Sequence, residues 1–254
     1  MQKRALLRAG AALLLATSFI GSSVAAAAPD TVWRVATEGT FPPFEFYQDG
    51  QLTGFELDLV KAMGKAAGAE VHISSYAFDA ILPAMMAGTV DIGAAGFSIT
   101  PERAKRVNFT TPFYESGLTI VVPKGSAVKD FSDLKGKRLS VQLGTTSHQY
   151  AKKIEGAQIT TFNSAGDAIL NMLAGQADAV INDKPVTDYI LSQNASIAAK
   201  AVHLSPVASA DKFAMVVVKS KPELLAAMNA AYKKVVESGE YAALYRKWFG
   251  CDPS

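Results

Sequence analysis

Two patterns of hydrophobic and polar residues alternate along this chain. Short runs of apolar residues are followed by longer amphipathic stretches, and Gly, Pro, Asn or Asp separate them. The runs predict strands and the stretches predict helices. Strands that alternate with helices are typical of βαβ units, so the pattern predicts parallel sheets. The elements are strands over 32–37, 71–74, 138–142 and 158–162, and helices over 54–67 and 145–154.

One segment of this pattern occurs twice. The stretches "DAILPAMMAGTVD" and "DAILNMLAGQAD" each predict a short amphipathic helix that ends near a glycine, Gly88 or Gly175. Each stretch closes on an aspartate, Asp91 or Asp178, and an apolar strand follows. The repeat indicates two halves of similar construction, each a small open α/β lobe.

The segment "FTTPFYESGLTIVVPKGS" is extended and connects the two lobes. A later strand over 213–218 returns to the first lobe, and helices over 222–238 and 240–249 close the chain. Two crossings predict a hinge with a cleft beside it, and ligands of open α/β sheets bind outside the carboxyl ends of the strands. The expected organisation is lobe 1 over 28–113 plus 214–254, lobe 2 over 114–213, and a hinge near 112–118 and 208–213.

The first 27 residues are expected to be a signal peptide. Lys3, Arg4 and Arg8 precede an apolar stretch that is shorter than a membrane span requires, and small residues follow it. We expect cleavage near Ala27 and export of a soluble protein to the periplasm. Removing three of the 25 basic residues leaves 22 against 23 acids, so the formal net charge changes from +2 to about −1. This balance gives no indication of nucleic-acid binding.

Arg103 is the most informative residue at the tips of the predicted strands. Thr100 suits a helix N-cap and Pro101 suits the first helical position, so Arg103 lies in the first turn of a helix. A cation there opposes the helix dipole, which prefers an anion. A free carboxylate would compensate, because a guanidinium binds it with two hydrogen bonds. Pairing with Glu102 or another surface acid is the alternative.

The tips in the second lobe offer the complementary chemistry. "LGTTS" presents hydroxyl and N–H groups of Thr145 and Thr146 at the start of a helix, where they either bind an anion or merely cap the helix. The strand "AVIND" ends at Asn182 and Asp183. A carboxylate at this position suits an ammonium group, unless Asp183 forms an Asx turn before Pro185.

A further tip, "ATEGTFPPFEF", places Glu38 and Phe41 after the first strand, although this loop could also be rigid and packed. Around one cleft, the tips would bring together an arginine, hydroxyl groups, an aspartate and aromatic rings. This combination fits the zwitterion of an α-amino acid.

The chain resembles the periplasmic polar amino-acid-binding proteins of ABC importers, a family that includes binders of glutamine, of histidine, and of lysine, arginine and ornithine. The resemblance extends over the whole predicted mature chain. It rests on several motifs in order, among them "GFELDLVKAM", "GFSITPERAKRVNFTTPFYESG", "VQLGTTS", "ADAVINDKPV" and "SGEYAALYRKWFG". It implies two α/β lobes of the type II periplasmic-binding-protein fold joined by a two-strand hinge.

The resemblance also implies roles for individual residues. Arg103 corresponds to the carboxylate clamp and Asp183 to the ammonium partner, with Thr146 assisting from the other lobe. Phe41 and Phe78 correspond to aromatic residues beside the ligand side chain, and Glu38 to an acid at its far end. The expected ligand-binding residues are Glu38, Phe41, Phe78, Ala95, Gly96, Ser98, Arg103, Gln142, Thr145, Thr146, Asn182 and Asp183.

Four departures from the glutamine-binding pattern leave the ligand open. Where the glutamine binders have lysine, glycine and histidine, this chain has Gln142, Thr146 and Asn182, and the usual aspartate is the longer Glu38. A pocket that has an acid and lacks this lysine argues against glutamate or aspartate as the ligand. Glutamine, arginine, lysine and histidine remain candidates.

The resemblance implies a monomeric binding protein without cofactor or metal, which delivers its amino acid to a membrane permease and its ATPase by hinge closure. The first alternative is a cleft enzyme on the same scaffold, a dehydratase or lyase, with Glu38 as its acid or base. However, the chain has no common hydrolase, metalloprotease or nucleotide-binding motif, and its three histidines are scattered. The second alternative is a ligand-sensing partner of a receptor.

Overall fold

A computed structural model describes residues 31–253 of the chain. The predicted signal peptide, 1–27, lies outside the described residues. Within 31–253, no helix combines the length and the apolar character that crossing a bilayer requires.

The helices and strands alternate along most of the chain. The strands are β1 (Thr31–Thr37), β2 (Thr40–Phe41), β3 (Glu45–Gln48), β4 (Gln51–Thr53), β5 (Ala69–Ser75), β6 (Ile92–Gly93), β7 (Val107–Phe109), β8 (Tyr114–Ser116), β9 (Leu118–Pro123), β10 (Arg138–Gln142), β11 (Gln158–Phe162), β12 (Ala179–Asp183), β13 (Ala201–Leu204), β14 (Asp211–Phe213) and β15 (Val216–Val218). The helices are α1 (Phe55–Ala67), α2 (Phe78–Met86), α3 (Pro101–Ala104), α4 (Thr146–Ala151), α5 (Ala165–Leu173), α6 (Lys184–Gln193), α7 (Ala195–Ala198), α8 (Pro222–Glu237) and α9 (Glu240–Phe249), with a 3₁₀ turn at Phe131–Leu134.

Two five-stranded sheets form the centres of the two lobes. Their strand orders are β5-β1-β6-β15-β7 in lobe 1 and β11-β10-β12-β9-β13 in lobe 2. The strands joined through helices, β5-β1-β6 and β11-β10-β12, are parallel, as predicted.

The prediction of parallel sheets does not hold for the strands that follow a crossing. β15 runs antiparallel to β6 and β7, and β9 runs antiparallel to β12 and β13. Both strands enter their lobe from the side of the other lobe. They therefore run away from the carboxyl ends of the parallel strands.

The connection between the lobes is a pair of short strands. β8 and β14 pair antiparallel, with Ser116 opposite Asp211 and Tyr114 opposite Phe213. The strand predicted over 213–218 is interrupted, because β14 ends at Phe213 and β15 begins at Val216. Between them the Ala214 N–H donates to the Phe97 carbonyl at 3.0 Å, so the chain bonds to the strand-tip loop of lobe 1.

Aromatic residues fill the core of lobe 1 beside this connection. Phe44 is fully buried and packs edge-on against Tyr114 and Phe213, with ring centroids 4.9 and 5.2 Å away. Its ring also contacts Phe249 of α9 at 5.6 Å. The C-terminal helix therefore packs against the loop that follows β1.

Candidate ligand-binding site

A small cavity lies between the lobes, where the carboxyl ends of both sets of parallel strands meet. Every predicted ligand-binding residue except Gln142 and Asn182 lines this cavity. The lining residues are Glu38, Phe41, Phe78, Ala95, Gly96, Ser98, Arg103, Thr145, Thr146 and Asp183.

Arg103 is held at the junction of the lobes. Its helix α3 begins as predicted, because the Thr100 hydroxyl accepts a hydrogen bond from the Arg103 N–H at 3.2 Å. One guanidinium nitrogen, Nη1, donates to the Ser98 carbonyl at 2.9 Å. The other, Nη2, donates to the carbonyl of Gly144 in lobe 2 at 3.4 Å. The guanidinium therefore contacts both lobes at once.

Two aromatic rings flank the same guanidinium. The centroids of Phe78 and Phe97 lie 5.3 and 5.1 Å from the Arg103 Cζ, within the range of cation–π attraction. The alternative that Arg103 pairs with Glu102 is wrong, since Glu102 bonds Lys105 at the surface at 2.8 Å. None of the ion pairs among residues 31–253 includes Arg103. Its charge therefore has no carboxylate in direct contact.

Burial lowers the pKa of Arg103 to about 10, and the charges of Asp183 and Asp211 oppose this shift. The guanidinium is therefore positive at neutral pH. A buried cation without a carboxylate in contact has a strong attraction for an anion, because desolvation is costly for an unpaired charge.

Asp183 lies at the end of β12 and is 4 % exposed. Its Oδ1 accepts a hydrogen bond from the Ser116 hydroxyl at 3.1 Å. Although Asp183 is at the N-cap of α6, its side chain makes no capping bond, which argues against the Asx-turn alternative. Burial and the charge of Asp211 raise the pKa of Asp183 to about 7, against the hydrogen bond from Ser116 and the charge of Arg103. A cationic partner would restore its ionised form.

Thr145 and Thr146 contribute differently from lobe 2. The Thr145 hydroxyl caps α4 by accepting from the His148 N–H at 3.2 Å, and it donates to the Gln142 carbonyl at 2.7 Å. The capping alternative is therefore correct for the Thr145 side chain. Thr146 has no such bond among the described residues, and both threonines line the cavity.

Glu38 and Gln142 meet across the cleft. Glu38 is 2 % exposed, and its Oε2 accepts from the Thr40 hydroxyl at 2.9 Å and from Gln142 Nε2 at 2.8 Å. Burial raises the pKa of Glu38 to about 7, although both hydrogen bonds lower it. Gln142 lies outside the cavity lining and acts on the cavity through Glu38.

Asn182 also lies outside the cavity lining. Its Nδ2 donates to the Thr187 hydroxyl of α6 at 3.1 Å. Neighbouring residues of a strand face opposite sides of the sheet, so Asn182 and Asp183 cannot both face the cavity.

One aromatic ring of the cavity, that of Phe41, packs directly against the backbone of Gly96. Phe41 packs against Phe44 and Phe213, with ring centroids 5.9 and 6.0 Å away. Its ring also covers Gly96, which has a φ of +56° and where an added Cβ would lie 2.5 Å from the ring. Only glycine fits there without strain. The loop after β1 is therefore packed, as its alternative interpretation held, and its aromatic residue also lines the cavity.

Sequence reasoning missed Ser116, Phe97 and Asp211, which surround Arg103 and Asp183. Asp211 lines an outer groove that Arg103 also lines, and burial raises the pKa of Asp211. Ser116 and Asp211 face each other in the paired connecting strands. The predicted crossings at 112–118 and 208–213 indicated that these segments lie beside the cleft. The pairing register decides which of their polar residues approach the cavity, and the sequence does not reveal that register.

Within the described part of the chain, no group of three His, Cys, Asp or Glu side chains is arranged to hold a metal ion.

The sequence and the fold match proteins of known type. Residues 33–251 match the family model described as bacterial extracellular solute-binding proteins, family 3. The chain is 36 % identical over 244 residues to a putative ABC transporter arginine-binding protein 2 of Escherichia coli strain K12, which covers 93 % of this chain and 98 % of that protein.

Solved structures give the same match. An ancestral arginine-binding protein bound to arginine superposes with a TM-score of 0.83 at 38 % identity, covering 87 % of this chain and all of that chain. The ancestral amino-acid-binding protein AncCDT-1, a precursor of cyclohexadienyl dehydratase, superposes with a TM-score of 0.78 at 38 % identity over 86 % of this chain and 95 % of that chain.

Proposed function

The chain belongs to the bacterial extracellular solute-binding proteins of family 3, and on that premise we propose that it binds a cationic L-amino acid, arginine first, for an ABC importer. The amino-acid-binding class agrees with the resemblance found in the sequence. The proposal concerns the ligand, the residues that bind it, and the partners.

The charge balance of the cavity carries the choice of ligand. The cavity has one cation, Arg103, and two acids, Asp183 and Glu38. The α-carboxylate of an amino acid would bind Arg103, and the α-ammonium would bind Asp183. Glu38 then remains at the far end with only neutral donors, Thr40 and Gln142. A guanidinium or a second ammonium complements it, whereas an acidic side chain would meet a like charge.

The binding mechanism is hinge closure. Ser98, Phe41 and Phe78 form the lobe 1 side of the cavity, and Thr146 and Asp183 form the lobe 2 side. We place the lobes at 28–113 plus 214–254 and at 114–213, as the sequence predicted, and β8 and β14 are the segments that bend. Closure excludes water and strengthens the charge pairs, so the ligand stabilises the closed form.

The partner and the location follow from family membership. The closed form would be recognised by a membrane permease with its ATPase, and the protein would act as a monomer in the periplasm after removal of residues 1–27. The alternative of a receptor as partner uses the same cleft and is distinguished by which membrane protein captures the ligand-bound form.

Binding without catalysis is the proposed activity. A dehydratase or lyase on this scaffold requires an acid or base free to transfer a proton. The Glu38 carboxyl group instead accepts hydrogen bonds from Thr40 and Gln142. The likeness to a dehydratase precursor concerns an amino-acid-binding protein, which agrees with a binding role for this chain.

Calorimetric titration of the mature protein with each of the twenty L-amino acids tests the proposal. We expect L-arginine to bind with a Kd of about 1 μM or below, equivalent to about 8 kcal/mol, and glutamate and aspartate not to bind. Tight binding of an acidic amino acid, or equal binding of arginine and alanine, would contradict the role assigned to Glu38.

A further inference from the structure

Two further carboxyl groups lie behind the cavity in lobe 1. Glu45 begins β3 and Glu56 lies in the first turn of α1, and both are 0 % exposed. None of the ion pairs among the described residues includes either group. Two buried acids without a cation require an explanation, because an isolated buried carboxylate is very costly.

The two acids are uncharged at neutral pH. Both oxygens of Glu45 and the Oε1 of Glu56 are buried and have no hydrogen-bond partner among the described residues. Burial and the neighbouring charges of Glu56 and Glu38 raise the pKa of Glu45 well above its ordinary value. Burial likewise raises the pKa of Glu56 to about 8, although the hydrogen bond from the Gly96 N–H lowers it. Neutral carboxyl groups avoid the cost of burying two charges.

The remaining oxygen of Glu56 contacts the cavity wall. Glu56 Oε2 accepts a hydrogen bond from the Gly96 N–H at 2.7 Å. Gly96 lines the cavity, has a left-handed backbone, and is covered by the ring of Phe41. The orientation of the Gly96 peptide thus sets both the backbone surface beside Ser98 and the position of the Phe41 ring.

We propose that Glu56 is a positioning residue of the ligand site, which fixes the Gly96 peptide through the hydrogen bond that its side chain accepts from the Gly96 N–H. As a statement about ligand binding, this rests on the proposed function. The groups that face the pair are Glu38 from the loop after β1 and the Gly96 N–H from the loop after β6, and Asp79 adds a negative charge beside Glu38.

The test is NMR-detected hydrogen exchange of the Gly96 amide in the ligand-free protein, which needs no knowledge of the ligand. Glu56→Ala should reduce its protection at least tenfold. Glu56→Gln should keep it within about threefold, because an amide oxygen still accepts the hydrogen bond. Glu237→Gln, at an exposed position of α8, is the control for the loss of a carboxylate and should change nothing.

Full protection of the Gly96 amide in a folded Glu56→Ala variant would overturn the positioning role. If that variant does not fold, a loss of protection of tenfold or more in a folded Glu56→Gln variant would overturn it, because the amide oxygen should still accept the hydrogen bond.

Ligand affinity links the two proposals. Glu56→Ala should weaken L-arginine binding about tenfold, and Glu56→Gln should retain it. If no amino acid binds the parent protein, the proposed function fails, while the exchange measurement still decides how Gly96 is held. If arginine binds the parent and a folded Glu56→Ala variant equally well, only the positioning role fails.

Discussion

The same helix–turn–strand segment is present in both lobes. The two copies are alike at the end far from the cleft and differ at the end that faces it. At the end far from the cleft, Asp91 and Asp178 make the same hydrogen bonds. Each accepts from an arginine on the neighbouring strand, Arg34 or Arg138, and donates its N–H to the carbonyl of that arginine. At the cleft end, the lobe 1 strand leads to a cation, Arg103, whereas the lobe 2 strand ends on an anion, Asp183.

This comparison separates the parts that hold the fold from the parts that bind the ligand. A repeated anchor that keeps its chemistry in both copies serves the lobe. Strand tips that differ in charge produce a cavity with a positive and a negative side. A duplicated lobe can thus bind an asymmetric, dipolar ligand only where its copies differ.

Removing the positive side should have the largest effect. Arg103→Ala should weaken L-arginine binding by about a thousandfold, because the charge-assisted bonds to a carboxylate are each worth about 1.5 to 3 kcal/mol. Calorimetric titration measures the change. Arg106→Ala, at an exposed position three residues later, is the matched control, and a similar loss in both variants would contradict the clamp.

The anchors should differ in strength although their design is shared. The Asp91 side chain is 5 % exposed and contacts Lys221 as well as Arg34, whereas the Asp178 side chain is 34 % exposed. Asp91→Ala should therefore lower the free energy of unfolding by about 3 kcal/mol and Asp178→Ala by about 1 kcal/mol. Denaturant unfolding compares them, and equal losses would show that burial does not distinguish the lobes.

The contribution of Asp91 should also depend on pH. Burial alone would raise the pKa of Asp91. The hydrogen bonds from Arg34 and Lys221 outweigh burial and hold this pKa below its ordinary value. A lowered pKa gives stability that is present above the ordinary value and lost as the pH falls through the folded one. The difference between the parent and Asp91→Ala should accordingly shrink below about pH 4, and a constant difference would exclude this ion-pair contribution.

Removing the negative side should cost less than removing the positive side. Asp183→Asn retains an acceptor for Ser116 but loses the charge for an ammonium, so L-arginine binding should weaken about thirtyfold. Asp188→Asn changes a half-exposed acid of the same segment, paired with Lys184, and should leave affinity within about twofold. Affinity of Asp183→Asn equal to the parent's would remove Asp183 from the site.

The far end of the cavity should change selectivity more than affinity. Glu38→Gln should weaken L-arginine about tenfold and leave L-glutamine within about twofold, because only the cationic side chain loses a charge partner. Competition between the two ligands measures the ratio. An unchanged ratio would show that Glu38 does not read the side chain.

Most of the strands and helices could be predicted from the sequence, because local residue chemistry marks where each of them begins and ends. The strands at 138–142 and 158–162 and the helix at 240–249 have the predicted bounds. Each is bordered closely by Gly or Asn residues that end regular structure. The direction of β9 and β15 was missed, because it depends on which lobe a strand comes from, and no residue pattern records that.

Side-chain contacts account for what was missed in the site. The pattern at 182–183 identified a polar strand end, but only the register decides that Asp183 faces the cavity and Asn182 faces α6. Glu45 and Glu56 are of a residue type that is almost never fully buried unless it is paired. Their burial next to each other results from how α1 packs behind the loop after β1, which is a tertiary property.

The central claim is that the opposite charges of Arg103 and Asp183 receive the two poles of one amino acid. Titration of the parent and of Arg103→Ala with L-arginine and with agmatine, which lacks the α-carboxylate, tests it most directly. We predict that agmatine binds the parent at least a hundredfold more weakly than L-arginine, and that Arg103→Ala removes this difference. Equal binding of both compounds by the parent, or an undiminished preference in the variant, would contradict the claim.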